Sequence, residues 1–73
     1  MMTSAIVHSD PDILGGTPVF VGTRVPVRNL FDYLTGGEPL GEFLEDFPGV
    51  TREQAVAVLR LAWESLVVHA YSD

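Results

Sequence analysis

Few residues in this chain have types and spacings that could do chemistry. His8 lies two and four positions before Asp10 and Asp12, a local cluster on a turn whose bland reading is solvation. Ser4, Ser9, Ser65 and Ser72 sit in no nucleophile elbow, which needs glycines on both sides of the serine. There is no cysteine, so disulfides and most zinc sites are excluded. His8 and His69 lack the spacing of a metal pair, so neither a metal nor a cofactor is expected. Gly15-Gly16 is not a phosphate loop, because no spaced third glycine or Lys-Ser/Thr pair follows. The reading is not an enzyme.

The charged side chains point to binding instead. Arg24 falls between a short β-rich run and a proline that can open a helix. Arginine there suits several bonds at once, to exposed carbonyls or to a carboxylate such as Asp10 or Asp46. The expectation is a structural tie. Arg52, Gln54 and Arg60 fall early on the last helical segment and are the candidate DNA contacts: Gln to adenine, Arg to guanine or phosphate. Against that, Thr51 and Gln54 also read as caps, and Glu53 would repel phosphate.

Several elements must hold these groups. Ile6-Val7-His8 and Val19-Phe20-Val21 have strand propensity, with a Ser9-Asp10-Pro11-Asp12 turn between them. Two such strands are too few for an independent sheet, so they lie on helices or pair across a dimer. Pro26 suits a first helical turn. Val27, Leu30, Phe31 and Leu34 then form one stripe, and Gly36-Gly37 stops the helix. Pro39 repeats the start, Leu40, Phe43, Leu44 and Phe47 repeat the stripe, and Pro48 ends it. Thr51 to Gln54 matches a capping box for a third helix running to about Ala70. Its main apolar face is Val56, Leu59, Trp63, Leu66, Val67 and Ala70. A second patch holds Ala57, Val58, Leu61 and Val68.

The expected fold class is therefore mainly α: a three-helix, helix-turn-helix-like bundle with two short N-terminal β-strands. Residues 1–73 form one domain, with strands and turns over 1–25 and the bundle over 26–71. The chain has 73 residues, 47% hydrophobic, with net charge −6 and no lysine. A domain this short hides only roughly 60% of its unfolded surface and usually needs a staple. A partner chain is the staple left. The third helix, apolar on most sides, points the same way. A homodimer is expected, with Val58, Leu61 and Val68 at its interface. The acidic balance disfavours strong stand-alone DNA binding and suits a basic partner. No apolar run approaches the ~20 residues of a membrane span, and no basic residue precedes an apolar run at the N-terminus. A cytoplasmic protein is expected.

The stretch from Gly15 to Val27 carries a resemblance. Asp10-Pro11, then Gly15, Gly16 and Pro18, then Gly22, Thr23, Arg24, Val25, Pro26 and Val27 resemble the signature of the bacterial domain of unknown function 433. Asp46-Phe47-Pro48 and the Thr51–Gln54 helix start continue it, so the likeness spans roughly residues 5–70. The resemblance implies a homeodomain-like bundle and an antitoxin-like protein of a toxin–antitoxin system. Such a protein binds and neutralises a PIN-like ribonuclease toxin, with a carboxylate or Arg24 set against the toxin's metal-ligand carboxylates, and it can autoregulate its operon. Two departures stand out: Thr17 replaces the usual lysine, and Gly41 interrupts the second helix. Because the sequence ends at Asp73, toxin contacts are expected from the folded body or the N-terminal strands. A stand-alone DNA-binding regulator and a structural dimerisation module are the alternatives.

Overall fold

A computed structural model describes residues 6–71. Ser4 and Ser72 lie outside the described residues, as do the side chains of His69, Ala70 and Tyr71. Strand β1 (Val7–His8) pairs antiparallel with β2 (Val19–Phe20), Val7 opposite Phe20 and His8 opposite Val19. A 3-10 turn, Leu14–Gly16, lies between them. Three helices follow: α1 (Val27–Thr35), α2 (Leu40–Asp46) and α3 (Arg52–Tyr71). The molecule is mainly helical, with two short N-terminal strands, as the sequence leads one to expect.

The strands pair with each other within one chain and lie on the helices. Val19 and Phe20 are 1% and 0% exposed, so the hairpin delivers its second strand straight into the core. There Phe20 joins Leu30 of α1, Phe43 of α2, Val50, and Ala55 and Val58 of α3. Each short helix contributes its expected stripe: Val27, Phe31 and Leu34 from α1, and Leu40, Leu44 and Phe47 around α2, pack against that cluster. The Phe43 ring lies 6.0 Å from Phe20, 5.4 Å from Tyr33 and 5.0 Å from Phe47. Aromatic clusters of this kind supply much of a small core's burial.

Helix ends follow the sequence signals. Pro26 and Pro39 occupy the caps of α1 and α2 in extended conformation. Gly37 has φ +90 just beyond α1, a backbone state that costs glycine little. One feature is absent from the sequence reading: Leu14 adopts φ +51 while 53% exposed. For a residue with a Cβ that state costs about 1–2 kcal/mol. The loop around it is closed on itself. Asp10 accepts from the Asp12 amide (2.8 Å), Thr17 Oγ1 donates to Leu14 O (2.9 Å), and Ser9 donates to Gly16 O.

Candidate functional site

The signature turn at Phe20–Val25 is closed by hydrogen bonds among its own residues. Gly22, at φ +79, takes the position of a β-turn that favours glycine. The Thr23 amide donates to Phe20 O (3.0 Å), and Thr23 Oγ1 donates to the same oxygen (2.8 Å). The Val25 amide donates back to Thr23 Oγ1 (3.0 Å), and the Phe20 amide to Val25 O (3.0 Å). A bridge from Val19 to Pro26 closes the base. Thr23 and the backbone thus do the work expected of Arg24.

Arg24 itself is exposed and, among the described residues, has no hydrogen bond or ion pair. Its two expected carboxylates are engaged elsewhere. Asp46 Oδ2 accepts from the Tyr33 hydroxyl at 2.6 Å, and Asp10 Oδ2 lies 3.7 Å from His8 Nε2. The structural tie is therefore corrected: Thr23 and the backbone bond the Phe20 and Val25 carbonyls and close the turn without the guanidinium.

The start of α3 is a closed capping box. The Gln54 amide donates to Thr51 Oγ1 (3.1 Å), and the Thr51 amide donates to Gln54 Oε1 (3.0 Å). Gln54 Nε2 then donates to Val21 O at 3.0 Å, joining α3 to the signature turn. Gln54 is thereby removed as a base reader, because both ends of its amide are used. Arg52 and Arg60 are exposed, and neither has an ion pair among the described residues. Arg60 lines a shallow groove with Ile6, Val56 and Leu61, between the carboxylates of Glu53 and Glu64. Those acids weaken any phosphate contact there.

Beyond this point α3 leaves the bundle. It has 20 residues and so runs for about 30 Å, whereas α1 has nine and α2 seven. The core meets it at Ala55 and Val58, which are 0% and 4% exposed. Val58, expected at a dimer interface, therefore belongs to the monomer's core. Conversely, Val56, Trp63 and Leu66, expected to face inward, are 39%, 64% and 65% exposed. Val56, ahead of Leu59, already lies on the uncovered side, and Trp63 and Leu66 lie farther along it, whereas Ala62 and Val67 are half-buried. Leu61 and Val68 are exposed, as their assignment to an interface requires.

A second shallow cleft between the end of α1 and α2 is lined by Asp32, Tyr33, Glu38, Glu42 and Asp46. The hydrogen bond to Asp46, then burial and the negative potential of Asp46, Glu42 and Glu38, push the Tyr33 hydroxyl up to about 12. A phenol held protonated this way steadies the α1–α2 corner. Among the described residues, no group of three or more His, Cys, Asp or Glu side chains is placed to hold a metal ion. Nor is any helix long and apolar enough to cross a membrane.

A three-helix bundle entered through a two-stranded hairpin, with a glycine–threonine–arginine turn against the third helix, defines a class of small helical domains. The model of the family described as "Protein of unknown function (DUF433)" matches residues 7–62, and the chain belongs to that family. An uncharacterized protein, y4eO, of Sinorhizobium fredii (strain NBRC 101917 / NGR234) is 47% identical over 49 residues, covering 67% of this chain and 22% of that protein. The crystal structure of a family member from Anabaena variabilis ATCC 29413 superposes with a TM-score of 0.72 at 30% identity, covering 82% of this chain and 59% of that one. The chain thus spans less than two thirds of either relative.

Proposed function

We propose that this chain is an antitoxin-like protein that works as a homodimer and binds and neutralises a PIN-like ribonuclease toxin. One observation carries the reading: the outer part of α3 exposes apolar side chains on two opposite sides. Residues two apart on a helix point about 200° apart, so Trp63 and Leu61 face away from each other. One covering surface cannot reach both. Leu61 and Val68, seven residues apart, lie on one line along α3, the repeat that suits contact between two helices. That edge fits a second copy. Trp63 and Leu66 form the other edge, and an exposed Trp is the side chain most enriched among the anchors of protein interfaces. That edge fits the toxin. The net charge of −6 suits a basic, RNA-binding partner, and the family signature supports the kind of toxin.

Co-expression with a PIN-like protein encoded beside it tests the reading. The expected result is a co-purifying complex and relief of the growth arrest caused by the toxin alone. Absence of association with any neighbouring gene product would contradict it. Exposure of Arg52 in the first turn of α3, after the short α2–α3 connection, favours an added role in operon autoregulation. A gel shift of the promoter by the complex, stronger than by the isolated chain, checks that role.

A further inference from the structure

We propose that a second copy of this chain lies antiparallel along α3, with its Arg60 against Glu64 and its Glu64 against Arg60. The inference rests on the proposed function in one respect, that the chain pairs with itself along the Leu61–Val68 edge. Beyond that reading, it assigns the direction of the pairing and the two side chains that set it.

Two shallow grooves on α3 meet at Leu61 and Glu64. The inner groove begins at Ile6 and Ala57, and the outer one ends at Val68. Together they form one strip. At 3.6 residues per turn, Ala57, Arg60, Leu61, Glu64 and Val68 fall within roughly 100° of arc. The core residues Ala55 and Val58 fall outside it. The strip carries two opposite charges among its apolar side chains. Arg60 and Glu64 are both exposed, and among the described residues neither has an ion pair. They are i, i+4 neighbours, but with the cation N-terminal to the acid, the weaker order on a helix. Glu53 lies two turns before Arg60, about 10 Å along the axis.

A second copy supplies both missing partners at once. The face of a two-fold pair must complement itself. With the two-fold axis at the height of Ala62, position 60 of each chain comes level with position 64 of the other. The two Leu61 side chains then meet beside the axis. Each Val68 comes level with the other copy's inner groove, next to Ala57, whose small side chain leaves room for it. A parallel pair would instead set Glu64 against Glu64 and Arg60 against Arg60. Like charges across an interface cost free energy, so these two residues select the antiparallel direction.

The test follows dimerisation by sedimentation equilibrium for wild type, Arg60→Glu, Glu64→Arg and the double variant Arg60→Glu/Glu64→Arg, with circular dichroism to check that each folds. Each single variant is expected to self-associate at least about tenfold more weakly than wild type, because both cross-pairs become like-charged. The double variant, and an equal mixture of the two single variants, are expected to regain wild-type affinity. Thiols report the direction independently, since the chain has no cysteine of its own. In the antiparallel pair two copies of Val68→Cys hold their thiols about 18 Å apart along the axis, beyond the reach of a disulfide, whereas Ala57→Cys mixed with Val68→Cys is expected to cross-link. Rapid cross-linking of Val68→Cys alone would overturn the direction. If wild type dimerises and the single charge variants dimerise equally well, the cross-pairs are overturned while the proposed homodimer stands. If wild type is monomeric, the homodimer fails and takes this inference with it.

Discussion

Residues 52–60 and 61–68 of α3 are both rich in apolar side chains, five of nine and six of eight, and differ in surroundings. In the first segment Ala55 and Val58 are 0% and 4% exposed; in the second Trp63, Leu66 and Val68 are 64%, 65% and 61% exposed. The difference is one of reach. Two short helices and a hairpin can wrap about half of a 20-residue rod, and the rest projects with the side chains of a buried helix. Apolar content therefore has a different cause in each half. In the inner half it builds the core; in the outer half most of it stays exposed, which is why association is proposed there.

Substitutions matched across the two halves would break or sharpen that contrast. The largest effect is expected in the bundle. Phe43→Ala removes a fully buried ring touching three other aromatic rings and should cost about 3–5 kcal/mol in denaturant melts. Trp63→Ala, a larger truncation on the outer half, should change the stability of the monomer by no more than about 0.5 kcal/mol and act on affinity for the proposed partner instead. Equal losses from the two would erase the distinction. A middle effect is expected at the joint between the halves and the signature turn. Gln54→Ala loses the capping box and the bond to Val21, for about 1–2 kcal/mol. A loss near zero would mean that α3 is not held there.

The smallest effect lies at the α1–α2 corner and depends on pH. Tyr33 ionises at about 12 when folded, against 10.0 for an ordinary tyrosine. A raised folded value means that its contribution to stability is complete below pH 10 and is lost as the pH climbs through 12. Ultraviolet titration should show this late tyrosinate, and Asp46→Asn should return it toward the ordinary value. An unchanged titration in that variant would remove Asp46 as the main cause.

Much of the framework was legible in the sequence because its signals are local. Pro26, Pro39, Gly36-Gly37 and the Thr51–Gln54 box mark helix ends through backbone geometry that needs no tertiary knowledge. Gly22 ends the Val19–Val21 run for the same reason. What failed were assignments that depend on where neighbours stop. The two apolar stripes of α3 lie on nearly opposite sides of the helix, and only the placement of α1 and α2 decides that Val58 is inside and Val56 and Trp63 are not. Arg24 was misread on related grounds: its structural role disappears once Thr23 and the backbone satisfy the turn, and sequence alone does not count those bonds. Leu14 at positive φ left no trace in residue type at all.

Sedimentation equilibrium on the wild-type chain and on a Leu61→Glu/Val68→Glu double variant, at micromolar concentration and moderate salt, addresses the central assignment most directly. The account predicts a wild-type dimer and a monomeric variant that keeps the helical content and denaturant profile of a folded bundle, because both substituted side chains are already in water in the single chain. A wild-type chain that stays monomeric across that range, or a variant that unfolds, would contradict the claim that the outer half of α3 serves association rather than the fold.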